Sequence, residues 1–453
     1  MIADDLPVVI DRSSGTAISV QVADALRDAA THGRVRVGDR LPSSRALAAR
    51  IGVSRTVTAA AYDQLHAEGW IAGRTGSGTY VTAAPATPVA APRPSTDTVA
   101  QRAAIDLTPG SPCLDALDAA AWRRAWRAAG DRAPDVYKHR AGTPEFRAAV
   151  AEHLLRHRGL AHAVPVVATS GTSSATGELV RALLPTGTSI AVENPGYGRA
   201  VGELRAAGMR IVPVPVDADG LCIDAVPASV SAVYCTPAHQ FPMGARMPAA
   251  RRVALVELAR RHGWLIIEDD YDGELRFDSA PLPLLATIGP DVVAHLGTAS
   301  KILTPTLGIG WLAAAEHVTD AVVAHRERTG TGPAVAGQSV LAAFAGSGDL
   351  ARHLRRIRRL VSARRAEVMA VFARSSIEVV GDDAGAHVVL RLPSAEAEAS
   401  VVAGAARRGI RLDGLARHHV GTPLIHGITL GYTACTPHEL TVALPQVAAL
   451  VQA

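Results

Sequence analysis

The chain has 453 residues, of which 48% are hydrophobic, 19% are charged and 4% are aromatic, and its formal net charge is +4. This composition excludes wholesale disorder and predicts two or three domains with sizeable cores. The charge by itself does not indicate nucleic-acid binding, because residues 1–82 hold nine arginines against eight acids. The four cysteines form no Cys-x-x-Cys pair, which favours free thiols in a reducing compartment.

The sequence predicts neither export nor membrane insertion. The opening residues, MIADDLPVVIDR, are acidic and lack the apolar segment of a signal peptide. No apolar stretch approaches the roughly 20 residues that a membrane span needs. We therefore expect a cytoplasmic protein with no membrane partner.

The first 82 residues carry a helix-turn-helix pattern followed by a wing. Pro42 and Ser43 open a short helix, SSRALAAR, which Gly52 closes, and Ser54 can cap the next helix, RTVTAAAYDQLHAEG. Near its N-terminus, where such helices meet bases and phosphates, this second helix would present Ser54, Arg55, Thr56 and Thr58. The run WIAGRTGSGTYV then predicts two strands and a Gly-rich tip, at which Arg74 could approach a phosphate or the minor groove.

The rest of the chain predicts a linker and a large α/β domain. Residues 83–104 are rich in Pro, Ala and Thr without apolar periodicity, which is typical of an extended linker. From residue 105 to 453, strand-like runs such as VPVVATS, SIAVE and WLIIEDD alternate with helical stretches. This alternation predicts a mostly parallel sheet with helices on both faces.

The first segment resembles the DNA-binding domain of the GntR family of regulators. The resemblance rests on GRVxxGDRLPSSRxLAxxxGVSRTV, then YxxLxAEGW and GSGTYV. It implies a winged helix over residues 1–82, in which the DNA contacts match Arg45, Ser54, Arg55, Thr56, Thr75 and Gly76. Ala59 stands where some relatives carry an arginine, so the resemblance does not imply an operator sequence. The alternative from the residues alone is a solvated helical hairpin.

Two lysines are the only candidates for Schiff-base chemistry in this chain. Such chemistry needs an amine that can lose its proton and is held at a fixed distance from an aldehyde. Lys138 lies in the polar segment DVYKHRAG, and we expect it to be solvated. Lys301 lies in HLGTASKILTPTLGIGWL, directly after a predicted strand, and Thr298 and Ser300 beside it could bond a phosphate.

Four further segments suit a cofactor with a pyridine ring and a phosphate. WLIIEDDYDGE ends a strand in acids, of which one could pair with a ring nitrogen, and its tyrosine could bond a ring hydroxyl. TSGTSSATGELV is a small-residue turn that opens a helix, as phosphate cradles do. VENPGYGRA supplies an aromatic that could stack, and YCTPAHQFPMG follows another strand. In this order, the segments resemble the fold-type I pyridoxal phosphate enzymes of the class I/II aminotransferase group.

Nearly the whole chain resembles the MocR/GabR subfamily, which fuses a GntR winged helix to such a domain. The resemblance implies a smaller C-terminal α+β lobe at about residues 345–453. It also implies that Lys301 forms the internal aldimine, that Asp269 pairs with the pyridine nitrogen, that Tyr271 bonds the ring hydroxyl and that Tyr197 stacks on the ring. The phosphate would be held by Gly171, Thr172, Ser173, Thr298 and Ser300. Tyr137 would reach the phosphate of a partner subunit, which implies a homodimer, and Arg199 would contact an effector carboxylate.

Three positions depart from the pattern of that family. Gly308 replaces an arginine that grips the cofactor phosphate, and Thr429 replaces the arginine that binds a substrate α-carboxylate. Each lost charge-assisted contact weakens binding by about 1.5–3 kcal/mol. Phe241 replaces an asparagine that bonds the ring hydroxyl.

These observations predict a transcription regulator that binds pyridoxal phosphate. Its large domain would sense a small amine, an amino acid or pyridoxal phosphate itself, and would modulate the binding of a homodimer to operator DNA. The alternatives are an active aminotransferase with a DNA-tethering domain, and a regulator whose large domain has lost the cofactor and serves as a scaffold. We expect no metal, because no third ligand accompanies His153 and His157. The basic run at 352–365 is interpreted as a solvated helix between lobes.

Overall fold

The computed structural model describes residues 6, 8–74, 78–84, 105–133, 136–160, 164–278, 281–373 and 375–452. The chain forms two compact units, Met1–Gln101 and Arg102–Ala453, and each is described by itself. Most of the predicted linker, from residue 85 to 104, lies outside the described residues. Among the described residues, no helix combines the length and the apolar character that crossing a membrane requires.

The first unit packs three helices against a small antiparallel sheet in the order β1-β3-β2. Its elements are α1 (Ile18–Thr31), β1 (Arg40–Leu41), α2 (Ser44–Ile51), α3 (Arg55–Ala67), β2 (Ile71–Arg74) and β3 (Gly78–Val81). Leu26, Leu47, Ala61 and Leu65 are among the buried residues of its core. The predicted winged helix is confirmed.

The turn between α2 and α3 follows from its capping residues. The Ser43 side chain accepts a hydrogen bond from the amide of Ala46 and begins α2, and Gly52 ends it with a left-handed backbone, φ +66°. The Ser54 side chain then accepts from the amide of Val57 and begins α3. Serine caps and a left-handed glycine satisfy the backbone groups that helix ends leave unpaired.

The second unit contains ten helices and fourteen strands within its described residues. In chain order these are β4 (Ile105–Asp106), α4 (Ala119–Gly130), α5 (Pro144–Arg158), β5 (Val166–Thr169), α6 (Thr172–Leu183), β6 (Ser189–Asn194), α7 (Gly198–Ala206), β7 (Arg210–Asp217), β8 (Gly220–Leu221), β9 (Ala232–Cys235), α8 (Ala249–His262), β10 (Leu265–Asp270), β11 (Val293–Thr298), β12 (Gly310–Ala313), α9 (Glu316–Thr329), α10 (Val335–Gly346), α11 (Asp349–Phe372), β13 (Val379–Val380), β14 (His387–Leu392), α12 (Ala395–Arg407), β15 (Ile410–Arg411), β16 (Asp413–Gly414), β17 (His426–Gly431) and α13 (Pro437–Val451).

The large sheet has eight strands in the order β5-β12-β11-β10-β9-β6-β7-β8. Strands β11, β10, β9, β6 and β7 are parallel neighbours, whereas β12 runs antiparallel to both β11 and β5. The central strands are buried on both faces, which explains their continuous apolar runs. The predicted α/β fold with a mostly parallel sheet is confirmed. Because β9, β10 and β11 are parallel, their carboxyl ends meet at one edge of the sheet.

A second sheet follows the long helix α11 and forms the smaller lobe. It has four strands in the order β13-β14-β17-β16, and its β14–β17 pairing is antiparallel. Helix α11 buries Leu354, Ile357 and Val361, while Arg352, Arg355 and Arg359 are exposed. These three arginines lie on the solvated face of a helix whose other face packs on the core, whereas Arg364 of the same run is buried and Arg358 bonds Glu274.

Candidate functional site

Lys301 lies just after β11, at the carboxyl edge of the large sheet. Its Nζ donates a hydrogen bond to the carbonyl oxygen of Gly110 at 2.6 Å. Burial lowers the pKa of Lys301, and the carboxylates of Asp272 and Asp269 only partly oppose this effect. A lysine that loses its proton more readily is a better nucleophile towards a carbonyl carbon. Lys138, by contrast, is exposed.

Asp269 is the penultimate residue of the neighbouring strand β10, and its side chain is buried. Its Oδ2 accepts a hydrogen bond from the Tyr234 hydroxyl at 2.5 Å, and among the described residues its Oδ1 has no partner. Burial raises the pKa of Asp269 to about 7. A buried carboxylate oxygen without a partner is costly, so it marks a place where a cationic group fits.

The N-terminus of α6 and the end of β11 bring hydroxyl groups together. Gly171 precedes α6 with φ +118°, and a Cβ there would lie 3.9 Å from Thr298 Oγ1. Thr298 and Ser300 join their hydroxyls at 3.0 Å. Ser173 donates to the hydroxyl of Tyr197 at 3.2 Å. Free amides and hydroxyls at a helix N-terminus suit a phosphate.

Aromatic rings line the side of the cradle that faces the smaller lobe. The ring centroids of Tyr197 and Phe241 are 5.6 Å apart, and those of Phe241 and Tyr271 are 5.8 Å apart, both edge to face. The Tyr271 hydroxyl lies 3.0 Å from His239 Nδ1. Phe241 therefore places an apolar ring beside Tyr271, at the position where the sequence departs from the enzymes.

The two remaining predicted site residues are exposed. Arg199, in the first turn of α7, interacts with the Tyr197 hydroxyl and contributes to the lowered pKa of Lys301, which places its charge near the lysine. Tyr137 precedes α5, and 77% of its surface is exposed. The contact that we predict for Tyr137 with a second subunit stays a prediction.

Gly308 and Thr429, which stand where related proteins carry arginine, each lie in a distinct local environment. Gly308 has φ +57°, a left-handed conformation that side chains other than glycine rarely adopt. Thr429 lies fully buried on β17, paired across the sheet with Asp413 of β16. Among the described residues, the Thr429 hydroxyl has no hydrogen-bond partner. Asp413 is buried too, so the neighbour of Thr429 is a carboxylate.

Several residues of the site were missed by the sequence reasoning. Tyr234 and His239 lie in a segment that was identified, but nothing in its pattern separates a cofactor contact from a core residue. His387 and His418 pack edge to face on Phe241, with centroids at 5.3 and 5.0 Å. They come from the smaller lobe, and only the folded chain brings them to this edge of the sheet.

The candidate DNA-binding surface is the N-terminal end of α3. Ser54, Arg55 and Thr56 are exposed there, and Arg45 is exposed on α2. Their contact with DNA stays a prediction. Thr58 requires a correction: it is fully buried, and its hydroxyl donates to the carbonyl oxygens of Ser44 and Arg55 at 2.8 and 3.0 Å. It shares the inward face of α3 with buried Ala61 and Leu65, so its side chain cannot reach DNA.

The wing is described only in part. Arg74 ends β2 and pairs with Gly78 of β3, whereas Thr75 and Gly76 lie outside the described residues. The guanidinium group of Arg40 lies close to Gly78, where a Cβ would come within 2.8 Å of its Nε. Arg40 is a basic residue beside the wing that the sequence reasoning missed.

His153 belongs to a buried network of charged side chains. His153 Nε2 lies 2.8 Å from Glu274 Oε1. Glu274 also bonds Arg158, which is buried against Asp270. This buried network supports the end of β10, where Asp269 lies.

Each of the two units matches a known protein family. Residues 103–420 match the family of class I and II aminotransferases, and residues 18–81 match the bacterial regulatory proteins of the gntR family. The fold and the site thus define a DNA-binding regulator with an aminotransferase-like domain. The chain belongs to the family of HTH-type transcriptional regulators that combine these two domains.

Two relatives are similar over almost their whole length. The HTH-type pyridoxine biosynthesis transcriptional regulator PdxR of Corynebacterium glutamicum is 33% identical over 432 residues, which cover 94% of each chain. The probable rhizopine catabolism regulatory protein MocR of Rhizobium meliloti is 32% identical over 460 residues, 96% of this chain and 93% of that one. The solved structure of Pyrococcus horikoshii kynurenine aminotransferase covers 77% of this chain and 90% of its own, with a TM-score of 0.71 and 22% identity.

The residues present fit pyridoxal phosphate, the cofactor of class I/II aminotransferases. The test is the unpartnered Oδ1 of Asp269, which a protonated ring nitrogen would satisfy. Lys301 offers the amine, Tyr271 can bond the ring hydroxyl, and the hydroxyls at the start of α6 suit the phosphate. Bound there, the cofactor supplies an aldehyde that amines can reach and a ring that withdraws electrons.

Proposed function

We propose that this chain is a transcription regulator in which the aminotransferase-like domain senses a small molecule and thereby changes the affinity of a homodimer for operator DNA. The sensed molecule is a small amine, an amino acid or pyridoxal phosphate itself. A ligand shifts the equilibrium between two states of the protein only if it binds one state more tightly than the other. Binding of the sensed molecule must therefore be coupled to binding of DNA. The exposed Tyr137 supports the homodimer, and the exposed start of α3 supports operator contact.

The observation that carries the proposal is the pairing of Thr429 with Asp413. An enzyme that turns over amino acids holds the α-carboxylate with a cation at this position, whereas here a buried threonine faces a buried carboxylate. Thr429 supplies no charge to hold a substrate carboxylate, and Arg417 is already paired with Asp413 at 3.1 Å. The geometry therefore favours sensing over the turnover of α-amino acids.

The pyridoxine biosynthesis role in the name of the Corynebacterium relative supports pyridoxal phosphate as the sensed molecule. No carboxylate clamp is needed for this ligand, in agreement with Thr429. Arg199 supports the alternative, an amino-acid effector with a distal carboxylate, because its guanidinium group lies near Lys301.

The test is a binding isotherm on DNA from upstream of the chain's own gene, measured by fluorescence anisotropy at several salt concentrations. Arg55→Ala is expected to weaken binding and to reduce the slope of log K against log salt by about 1, the contribution of one phosphate contact. Arg27→Ala is the matched control. Its guanidinium group is paired with Glu68, which caps the opposite end of α3. We expect Arg27→Ala to leave the isotherm unchanged.

The same isotherm tests sensing. Adding pyridoxal phosphate or an effector amine is expected to change the operator affinity of the wild type by about fivefold or more, the usual size of allosteric coupling. Lys301→Ala removes the covalent attachment, so its isotherm should not respond. Isotherms that superimpose with and without every ligand, or DNA binding that does not saturate, would contradict the proposal.

An aminotransferase that carries a DNA-tethering domain is the second candidate. It is favoured by one observation, the lowered pKa of Lys301 beside an intact Asp269. This candidate requires that an amino donor convert the bound cofactor to its amine form and that a keto acid restore it. If a panel of amino acids and amines leaves the visible spectrum unchanged, the candidate is wrong.

A further inference from the structure

Two buried side chains that contact Tyr271, those of His239 and Asp272, make none of the cofactor contacts described above. His239 follows β9 and Asp272 follows β10, and both side chains are buried. His239 Nδ1 lies 2.9 Å from Asp272 Oδ2 and 3.0 Å from the Tyr271 hydroxyl. Carboxylate, imidazole and phenol thus meet at a single nitrogen.

Two glycines hold the His239 ring in place. Gly385 has φ +74°, and a Cβ there would lie 2.1 Å from His239 Cε1 and 2.8 Å from Asp272 Oδ2. Gly244 has φ +73°, and a Cβ there would lie 3.2 Å from His239 Nε2. Because backbone closes on the ring from two segments, the imidazole cannot swing away from Asp272 and Tyr271.

Hydrogen-bond donors and acceptors then orient the Tyr271 hydroxyl. An ionised carboxylate can only accept, so the Asp272 contact places a proton on His239 Nδ1. The hydroxyl oxygen of Tyr271 lies within reach of this N–H, and the phenol also hydrogen-bonds the Asp272 carboxylate, so imidazole and carboxylate together hold the hydroxyl. Burial and then the charge of Asp272 raise the pKa of Tyr271 well above its ordinary value, so the phenol keeps its proton.

Asp272 also acts on Lys301 directly. The charged and titratable groups that act on the lysine are those of Asp269 on β10, Asp272 just after it, Arg199 on α7 and His387 on β14. His239, after β9, lies against Asp272. Of the charges that act on the lysine, Asp272 opposes the effect of burial most strongly. Burial lowers the pKa of His387 to about 3, so its ring carries no charge at neutral pH.

We propose that Asp272 and His239 are positioning residues of the cofactor site, which orient the Tyr271 hydroxyl and keep a negative charge beside the Lys301 nitrogen, so that the lysine-bound cofactor keeps its proton to higher pH. The proposal rests on the cofactor site and is independent of effector sensing. Its failure is therefore distinguishable from a failure of the operator-binding test.

The experiment is a pH titration of the visible band of the full-length protein loaded with pyridoxal phosphate. Asp272→Asn removes the charge and is expected to move the titration midpoint down by about one pH unit or more, since an opposite charge within 4–6 Å shifts a pKa by about 1–3 units. His239→Leu removes the N–H that holds the Tyr271 hydroxyl, so its midpoint is expected to differ from that of the wild type by more than about 0.3 units. His239→Asn places an amide N–H close to the position of Nδ1, so it should restore most of the wild-type midpoint.

His387→Gln is the matched control, because the His387 ring lies 5.1 Å from that of His239 but bonds the carbonyl oxygen of Pro242 and carries no charge. Its midpoint should equal that of the wild type. A merely structural role would instead lower cofactor affinity in all variants and leave every midpoint within about 0.3 units of the wild type. That result would overturn the proposal, as would loss of the cofactor from Asp272→Asn, His239→Leu and His387→Gln alike.

Discussion

The hydroxyl of Tyr234 donates to Oδ2 of Asp269 at 2.5 Å and leaves Oδ1 of the same carboxylate without a partner among the described residues. The two residues are each next to last in neighbouring parallel strands, so the fold itself fixes their contact. One oxygen of the carboxylate therefore bonds the protein, and the other can bond the cofactor ring.

This arrangement predicts opposite effects of Asp269→Asn with and without cofactor. Burial raises the pKa of Asp269 to about 7, so between its ordinary value of 3.8 and about 7 the folded state binds a proton that the unfolded state does not. This group therefore lowers the free energy of unfolding as pH rises through that range. At pH 8, the cofactor-free Asp269→Asn protein should be more stable than the wild type by up to about 4 kcal/mol, since each pKa unit corresponds to about 1.4 kcal/mol.

With pyridoxal phosphate bound, the order should reverse, because asparagine cannot pair with a protonated ring nitrogen. Thermal unfolding of both proteins at pH 5 and pH 8, each with and without cofactor, checks both signs. The difference between the cofactor-free proteins should shrink at pH 5. A variant that is less stable than the wild type under all four conditions would contradict this account of Asp269.

The buried network behind Asp269 predicts a large loss of stability when its cation is removed. Arg158 pairs with Asp270 and Glu274, and all three side chains are buried. Arg158→Met leaves two buried acids without this cation and should destabilise the protein by about 3–5 kcal/mol. Arg156→Met on the same helix removes only an exposed pair with Glu152 and should cost less than about 1 kcal/mol. Equal losses in denaturant unfolding would be inconsistent with this network.

The buried carboxyl group of Glu274 is expected to account for part of the loss of stability at low pH. Burial alone would raise its pKa, but the hydrogen bond from His153 and the charge of Arg158 outweigh burial and hold the pKa far below its ordinary value of 4.5. A carboxyl whose pKa is lowered on folding contributes stability that is present above its unfolded pKa and is lost as pH falls. Glu274→Gln should therefore show a flatter decline of unfolding free energy below about pH 4.5. Parallel declines in the variant and the wild type would exclude this role.

Thr56 and Thr58 lie on the same helix, but only Thr58 is buried, so substitutions at these two positions form a matched pair. Thr58→Val keeps the shape but removes the donor to Ser44 and Arg55, so it should cost about 1 kcal/mol of stability without changing operator affinity once folded. Thr56→Val, two positions earlier and exposed, should change stability by less than about 0.5 kcal/mol and weaken operator binding. Thermal unfolding and anisotropy separate the two effects. A loss of operator affinity in folded Thr58→Val would reverse the correction.

The sequence predicted the elements that depend on local pattern. The serine caps at Ser43 and Ser54 and the glycine at Gly52 bound the two helices as the structure has them, and apolar runs became the buried parallel strands. Thr58 was misread because it was counted by its distance from the start of α3. Helical periodicity instead turns it to the same face as Ala61 and Leu65.

The parts of the site that the sequence could not reveal come from distant segments. Gly110 lies 191 positions before Lys301 yet accepts its hydrogen bond, and His387 reaches Phe241 from the smaller lobe. Such contacts depend on tertiary packing, which no local pattern records. Asp272 stood within a motif that was identified, but its proximity to His239 appears only in the fold.

The most direct test of the central claim, that Lys301 holds pyridoxal phosphate within a DNA-binding regulator, is borohydride reduction followed by mass spectrometry. Lys138 and Lys301 are the only lysines of the chain, so the modified residue can be assigned almost without ambiguity. The account predicts an absorbance band near ~420 nm, typical of a cofactor joined to a lysine, and a pyridoxyl adduct on Lys301. No band after reconstitution, or an adduct on Lys138 alone, would contradict it.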